Sequence, residues 1–452
     1  MKYPKINHLK GSGFSTQNPS LELNKMELKK TIKFKIGELR KGKQKSVDLA
    51  LTNSLNSIKY FMDLSLKNKT TSGNKLHHLG YREMVNKYSL PACIVHQSRN
   101  KASEIIKSWK TNKRRLHKNI PIPEPKALRI RYDNVVFDVI KTENKKYQFW
   151  ASILISKRKR IYIPLIVNSN YQREYLNGLI SKKYKKGSAD LVKKDDGYFV
   201  HIVLKKEVKF EQKENYNPIG IDIGINNIAV ANINGKSKFF NGKRAIARKK
   251  HLNKIKSIYQ SRNNLKILNK IKGKEQRYFN HINHQISSWI VNQAKTLESP
   301  IVVMEDLSYI LETTKVRKKQ RYIHQTWAFK KLQNMIQYKA LWDNIPVIYV
   351  NPQYTSQVCP KCLSTNKRIK SNYKCKYCGY KANADHVGAL NIRKKFWESI
   401  SFPETASINN AVGFSFNEPK TMIEGRAKKY ANKEDVFPPN PKGLGIQNAY
   451  IL

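Results

Sequence analysis

The sequence predicts a multidomain α+β protein, with a helical insert and a small β-barrel before an α/β core that contains a four-cysteine module. Three observations predict this fold class. The chain has 452 residues, whereas a single hydrophobic core stops growing at about 250–300 residues. The apolar pattern changes along the chain, from helical to strand-like and then to a mixture of both. Four of the five cysteines form two Cys-x-x-Cys pairs.

The first part of the chain predicts one strand followed by a helical domain. Residues 1–25 are polar and aperiodic, which predicts a flexible extension. In Thr31–Ile36 apolar residues alternate with lysine or threonine, which predicts a half-buried strand. Residues 46–120 contain helical stretches at Val47–Leu66 and Ala102–Lys110 and are rich in lysine, so a small basic helical domain is predicted there.

Short strands dominate residues 121–213. They are predicted at Leu128–Tyr132, Val135–Ile140, Tyr147–Ile155, Arg160–Ile166, Ala189–Lys193 and Tyr198–Leu204. The last two flank Asp196-Gly197, and Asp-Gly is a strong hairpin signal. Regularly spaced short strands are typical of a small barrel. The strand within residues 26–45 is expected to belong to the same barrel, which makes the helical domain an insertion.

From about residue 214 the pattern becomes α/β. Apolar strands are predicted at Ile219–Ile223 and Ile228–Ile233, and Asn234-Gly235 predicts a hairpin that leads into Lys236–Phe240. A long basic helical region follows from Arg244 to Leu297. The remaining predicted elements are a buried strand at Ile301–Met304, a helix at Trp327–Leu341, a strand at Val347–Val350, a helix over 386–400 and an irregular tail over 401–452.

The charge balance indicates a polyanionic partner. The chain has 87 Lys+Arg against 32 Asp+Glu, a formal net charge of +55. Self-repulsion on this scale opposes compactness unless a polyanion neutralises it, and nucleic acid does so with release of counterions. An anionic membrane surface and a bias in composition are the alternatives. The sequence shows neither an apolar run of about 20 residues nor a signal-peptide core, so a soluble intracellular protein is expected.

Three carboxylates lie in contexts that suit a catalytic metal site. Asp222 interrupts the apolar run Ile219–Ile225, Glu305 ends the run Ile301–Met304, and Asp385 precedes a predicted helix. An ionised carboxylate among apolar strand residues is costly unless it is paired or binds a metal. Singly, each has a structural explanation, such as a helix N-cap or a solvent contact. Together they match phosphodiester hydrolysis by two Mg²⁺ ions, which needs carboxylates that converge from different elements.

The first of these motifs has a second interpretation. Gly-x-Asp-x-Gly followed by a hairpin also forms the phosphate site of sugar-kinase and actin-like ATPases, which share the topology of a ribonuclease-H-like core. The positive charge, the later Glu305 and the cysteines favour the nuclease. Asp306 is a fourth candidate ligand, although in a strand it would face away from its neighbour Glu305.

The cysteine module predicts a structural zinc site. Cys359 and Cys362 are separated by twelve residues from Cys375 and Cys378. Four thiolates complete the tetrahedral coordination of one Zn²⁺, so the metal supports folding and has no open position for catalysis. Cys93 is left over and predicted to be a buried apolar residue. Basic residues surround the module and either contact phosphate or are simply solvated: Lys361, Lys367, Arg368, Lys370, Lys374, Lys376 and Lys381.

These motifs together resemble the transposon-encoded TnpB proteins and the related miniature type V CRISPR effectors. The resemblance rests on GIDIGINNIAV, IVVMEDLS, YTSQVCPKC, CKYCG and NADHVGALNI, and covers about residues 26–395. It implies a ribonuclease-H-like (RuvC) nuclease core over 214–354 and 383–400, interrupted by a zinc ribbon over 355–382 that binds the target nucleic acid. This chain departs from the family pattern at Leu363, where glycine is frequent, and in the interior of the third motif, which Val387 and Gly388 occupy.

The resemblance also implies a wedge barrel over 26–45 and 121–213, interrupted by a helical recognition domain over 46–120. Its activity would be that of an RNA-guided DNA endonuclease that recognises a short motif beside its target. Two Mg²⁺ ions would be held by the three carboxylates, with Asn391 orienting the site, and one Zn²⁺ by the cysteines.

The partners that the resemblance implies are a guide RNA and a double-stranded target DNA, paired as an RNA–DNA heteroduplex. The protein would act as a monomer or a homodimer on the RNA, with no membrane and no nucleotide cofactor. The resemblance also implies a cytoplasmic protein of a prokaryotic cell, associated with the nucleoid when bound to DNA. Three alternatives remain open at this point: a nuclease-dead RNA-guided repressor, a guide-independent nuclease or transposition accessory factor, and a metabolite kinase.

Overall fold

The computed structural model describes residues 26–117, 119–144, 146–156, 159–210, 213, 215–307, 327, 329–366 and 371–401. The predicted extension over 1–25 and the predicted tail beyond residue 401 lie outside these described residues. The chain divides into two compact units, one over Glu27–Glu207 and the other over Val208–Leu452 together with Met1–Met26.

The first unit contains three helices that follow strand β1 (Met26–Ile36). These helices are α1 (Lys41–Lys67), α2 (Gly73–Tyr88) and α3 (Ala92–Leu116). In β1 the side chains of Ile32, Phe34 and Ile36 are buried and the intervening lysines are exposed, as the alternating sequence predicts. Helices α1 and α3 pack against each other and contain the two predicted helical stretches. Helix α2 was not predicted, since it buries only a short stripe of small and apolar residues.

A seven-stranded sheet forms the rest of this unit. Its further strands are β2 (Arg129–Tyr132), β3 (Asp138–Lys141), β4 (Phe149–Ser156), β5 (Lys159–Ile166), β6 (Lys185–Lys194) and β7 (Gly197–Val208). The strand order is β2-β6-β7-β1-β5-β4-β3. Since β1 lies in the middle of this order, the strand before the helices and the strands after them share one sheet.

The sheet curls until its two edges approach each other. The ammonium of Lys186, in β6, donates a hydrogen bond of 2.7 Å to the backbone oxygen of Phe137. Phe137 directly precedes β3, the strand at the opposite edge of the sheet. In the described residues the backbone ladders end at β2 and β3 and do not close into a ring. The predicted small barrel is therefore seen as a curled open sheet.

Three local details of this unit differ from the sequence prediction. Strand β3 begins at Asp138, and Val135 lies in a turn with 82% of its surface exposed. A helix, α4 (Asn170–Ile180), lies between β5 and β6 and was not predicted. In the β6–β7 hairpin Lys194 pairs with Gly197, so the two turn residues are both aspartates rather than Asp-Gly.

The second unit is built on a five-stranded sheet. Its strands are β8 (Asn217–Asp222), β9 (Asn227–Ile233), β10 (Lys236–Asn241), β11 (Pro300–Glu305) and β12 (Val347–Val350). The order is β10-β9-β8-β11-β12, with the first three antiparallel and β8, β11 and β12 parallel. Asn234 and Gly235, both with positive φ, form the predicted hairpin turn.

Helices complete the described part of the second unit. They are α5 (Lys243–Ser261), α6 (Leu265–Ile271), α7 (Lys274–Ala294), α8 (Phe329–Trp342) and α9 (Ala384–Ser401). The helical region predicted over Arg244–Leu297 consists of the three helices α5, α6 and α7, because the chain turns after Ser261 and again at Gly273, where φ is positive. Helix α9 packs across β8, β9, β11 and β12. Within the described residues, each helix is too short or too polar to cross a membrane.

Candidate functional site

Two of the predicted carboxylates end neighbouring parallel strands. In the β8–β11 ladder Ile221 lies opposite Met304, so the next residues, Asp222 and Glu305, follow side by side at the same edge of the sheet. Side chains of laterally paired strand residues point to the same face. The sheet therefore directs both carboxylates to one place, at the carboxyl ends of its two central strands.

The third carboxylate reaches this edge from helix α9. Asp385 lies in the first turn, and its Oδ2 accepts a hydrogen bond of 2.8 Å from Nδ2 of Asn227, the first residue of β9. One turn later Gly388 lies against Asp222, since a Cβ built at Gly388 would be 2.9 Å from Asp222 Oδ2. Because Gly388 has no side chain, it leaves space for the carboxylate of Asp222.

The three carboxylates share an edge but do not form a tight cluster. In the part of the chain that the structure describes, the ligand atoms of the four cysteines all lie within 4.8 Å of one another. The oxygens of the three carboxylates, which the structure also describes, do not form such a group. Two catalytic ions lie about 3.5–4 Å apart and are ligated from several sides, so their carboxylates need not be mutually that close. The hard oxygen donors present suit Mg²⁺.

Glu305 has a defined polar environment. Its Oε1 accepts a hydrogen bond of 2.5 Å from the hydroxyl of Thr355, and its backbone oxygen accepts one of 2.6 Å from the amide of Gln333. Burial raises the pKa of Glu305, while the Thr355 hydroxyl and the charge of Lys395 act in the opposite direction. A cation bound at this carboxylate would favour its ionised form.

Asn391, which the family resemblance marked as an orienting residue, lies behind this environment. Its side-chain amide donates two hydrogen bonds of 2.8 Å, one to the backbone oxygen of Thr355 and one to that of Val358. It is buried, with 6% of its surface exposed. Sequence reasoning missed Thr355, Gln333 and Asn227, and for two of them a signal existed: Thr355 stands in YTSQVCPKC and Asn227 in GIDIGINNIAV.

The four predicted zinc ligands come together. The Sγ atoms of Cys359 and Cys378 are 3.5 Å apart, as are those of Cys362 and Cys375. Tetrahedral coordination with Zn–S bonds of about 2.3 Å places sulfurs about 3.8 Å apart, so the quartet fits zinc. Cys375 and Cys359 are buried beside a small hairpin of β13 (Asn372–Lys374) and β14 (Lys381–Asn383).

The surroundings of the quartet are basic. The side chains of Lys361, Lys374, Lys376 and Lys381 are exposed, whereas Lys367, Arg368 and Lys370 lie outside the described residues. Cys93, the fifth cysteine, lies in the other unit and is only half-buried, less than predicted. Burial raises the pKa of its thiol, which favours the protonated form.

Comparison with known proteins identifies the family. Residues 201–299 match the family model described as a probable transposase, and residues 329–392 match the Cas12f1-like TNB domain. A TnpB-like protein of Methanocaldococcus jannaschii is 30% identical over 267 residues, which span 55% of this chain and 92% of that protein. The chain belongs to the TnpB family. In this TnpB-family chain, the four cysteines of the predicted zinc site lie within the segment that matches the TNB domain.

Two further relatives define how far the likeness extends. The putative RNA-guided DNA endonuclease InsQ of Escherichia coli is 40% identical over 65 residues, which cover 14% of the TnpB-family chain and 16% of InsQ. The fold is similar to that of Cas12f1 in a complex with sgRNA and target DNA, with a TM-score of 0.55 and 14% identity. That likeness covers 81% of this chain and 99% of Cas12f1, and concerns the fold alone.

Proposed function

We propose that this protein is an RNA-guided DNA endonuclease that cuts with Asp222, Glu305 and Asp385. The observation that carries the proposal is the meeting of these carboxylates at one edge of the five-stranded sheet. The relatives agree with it, since InsQ is named as a putative RNA-guided DNA endonuclease and the Cas12f1 fold was solved with sgRNA and target DNA. The net charge of +55 suits a protein that binds both nucleic acids.

The sheet order supports a ribonuclease-H-like (RuvC) core over residues 214–354 and 383–400. An antiparallel meander of β10, β9 and β8 followed by parallel β11 and β12 is the arrangement expected for such a core. Carboxyl ends of the parallel strands are where α/β sheets place their ligands. We assign residues 355–382 to a zinc ribbon that contacts target nucleic acid and whose single Zn²⁺ stabilises the fold.

The metal chemistry follows from the donor set. Two Mg²⁺ ions held by the three carboxylates would activate the attacking water and stabilise the leaving oxygen of the phosphodiester. Around them, Asn227 holds the carboxylate of Asp385 and Thr355 holds that of Glu305. Fixed carboxylates keep ligand geometry constant during the reaction, which costs less reorganisation than mobile side chains would.

The first unit is proposed to hold the RNA. Residues 46–120 would form a helical recognition domain, and residues 26–45 with 121–213 a wedge. Guide pairing would read the target sequence, while the protein would read backbone shape and a short motif beside the target. We further propose a monomer or homodimer on the RNA, acting in the cytoplasm and on the nucleoid.

The direct test is DNA cleavage by the purified complex with its RNA and Mg²⁺. Asp222→Ala should abolish cleavage and leave target binding nearly intact, because binding rests on basic residues elsewhere. Asp195→Ala, in the exposed β6–β7 turn, is the matched control and should cut normally. Undiminished cutting by Asp222→Ala would refute the assignment of this site.

RNA that co-purifies with the protein distinguishes the remaining alternatives. Sequencing should return a defined guide, encoded at a transposon end or in a CRISPR array. A preparation that cuts DNA without any such RNA would instead identify a guide-independent nuclease. Guided binding without cutting by the unaltered protein would identify a repressor.

A further inference from the structure

The segment that leads into the zinc ribbon makes a direct contact with the proposed cutting site. Thr355 lies four residues before the first zinc ligand, Cys359, and 96% of its surface is buried. Its hydroxyl is 2.5 Å from Oε1 of Glu305 and 3.0 Å from the backbone oxygen of Pro352. A hydroxyl has one hydrogen to donate, and the carboxylate oxygen of Glu305 is the nearer of the two acceptors. Thr355 therefore donates to Glu305.

This threonine is itself held in place. Asn391 donates one hydrogen of its amide to the backbone oxygen of Thr355 and the other to that of Val358. Both donors of the amide are thus used on one short segment, which fixes the segment against helix α9. The same helix carries Asp385 in its first turn. The carboxylates of Glu305 and Asp385 are consequently tied to one helix, the first through Thr355 and the second directly.

We propose that Thr355 is a positioning residue for Glu305, and that Asn391 anchors Thr355 and the entry to the zinc ribbon to helix α9. This inference rests on the proposed function, because it concerns how Glu305 is presented to a metal ion. Glutamate has three rotatable side-chain bonds, so its carboxylate needs an outside partner to adopt one orientation. Such supporting partners typically contribute 10–100-fold to metal affinity or activity.

Two substitutions of Thr355 separate the effect of the hydroxyl from that of the bulk of the side chain. Thr355→Val removes the hydrogen-bond donor with nearly the same volume. Thr355→Ser keeps the donor and loses a methyl group. Thr296→Val makes the same chemical change at an exposed position just after helix α7, and is the matched control. Thr355→Ala removes the same donor without a branched side chain, and replaces the valine variant if that protein does not fold.

Two measurements on the complex with guide RNA and target DNA test the proposal. The first is the single-turnover cleavage rate as a function of Mg²⁺ concentration. The second is Mn²⁺ binding by electron paramagnetic resonance, with the signal of the Asp222→Ala complex subtracted to remove ions held by the nucleic acids. Guide and target affinities and the thermal midpoint are measured alongside, to exclude misfolding.

We expect Thr355→Val to slow cleavage at limiting Mg²⁺ by about 10–100-fold and to weaken Mn²⁺ binding by about tenfold. Thr355→Ser should restore both, and Thr296→Val should match the unaltered protein. Asn391→Asp, which keeps the shape but loses both donors, should shift the two measurements in the same direction. If cleavage by Thr355→Val depends on Mg²⁺ concentration as it does in the unaltered protein, the role of Thr355 is overturned. Loss of cutting in Asp222→Ala would in that case still support the proposed function. Normal cutting by Asp222→Ala would instead refute the function itself.

Discussion

Gly220 of strand β8 lies directly against the backbone of helix α9 at Ala389. A Cβ at Gly220 would be 2.1 Å from the backbone oxygen of Ala389 and 2.6 Å from the backbone nitrogen of Arg393. Both of these atoms belong to the main chain, so neither can swing aside as a flexible side chain would. This close approach sets the distance between the strand that ends in Asp222 and the helix that begins near Asp385.

Gly220→Ala is therefore expected to separate α9 from the sheet. The protein should lose about 1–3 kcal/mol or more of stability, as overpacked cores do, and its cleavage activity should fall with it. Thermal unfolding and the cleavage rate measure the two effects. Gly42→Ala is the control. It also replaces a glycine by alanine, within helix α1, but a Cβ at this position would have open space around it. A Gly220→Ala protein with an unchanged midpoint would show that the helix has room to move.

Asn227→Asp tests the hydrogen bond on Asp385. The change keeps the shape of the side chain, removes the donor and places a second negative charge 2.8 Å from Asp385 Oδ2. We expect cleavage at limiting Mg²⁺ to fall by about 10–100-fold, with guide binding unchanged. Asn226→Asp, the exposed neighbour, adds the same charge without that contact and should cut normally. Equal rates in the two variants would argue against a role for Asn227.

The zinc prediction concerns stoichiometry and local folding. Elemental analysis of the purified protein should find one zinc per chain, and Cys375→Ser should abolish it because three thiolates no longer close the tetrahedron. The ribbon should then become sensitive to protease, since zinc binding supplies its folding energy. Cys93→Ser, which alters the cysteine outside the quartet, should retain the metal. Full zinc content in Cys375→Ser would contradict the assignment.

Glu275 pairs with a lysine that is almost completely buried. Its carboxylate is 2.5 Å from the ammonium of Lys249, whose surface is 3% exposed, and 3.0 Å from that of Lys256. Burial of Glu275 opposes its ionisation, but the hydrogen bonds from the two lysines outweigh it and lower its pKa. Glu275→Gln removes the negative charge beside the ammonium groups of Lys249 and Lys256, and should destabilise the protein by about 3 kcal/mol.

The pH dependence of this effect has a definite sign. Because the pKa of Glu275 is lower in the folded protein, its stabilisation is complete above the ordinary value of 4.5 and is lost as the pH falls through the folded value. The difference in unfolding free energy between the unaltered protein and Glu275→Gln should therefore shrink below pH 4.5. Glu298→Gln, at an exposed glutamate, is the control and should change the free energy of unfolding little. A constant difference down to pH 3 would contradict the linkage.

Local signals in the sequence predicted much of the second unit. Asn234-Gly235 specified a hairpin because its backbone conformation suits a two-residue turn, and Val347–Val350 was predicted as the strand that the structure shows. The helical region after Arg244 was predicted less well, since lysine-rich segments continue a helical pattern across turns. Helix α4 was missed for a related reason, because its buried stripe is short.

By itself, the sequence predicted the cysteine quartet, which the structure brings together, and singled out the three carboxylates of the proposed site. Spacing within a Cys-x-x-Cys pair is local, and a charged residue that ends an apolar strand is visible without a structure. Only the tertiary structure decided what supports those groups. Thr355 reaches Glu305 across 50 residues and Asn227 reaches Asp385 across 158, contacts that depend on strand order and on how closely α9 packs at Gly220. No local pattern encodes such pairs, because a hydrogen-bond partner is fixed by where two distant elements meet.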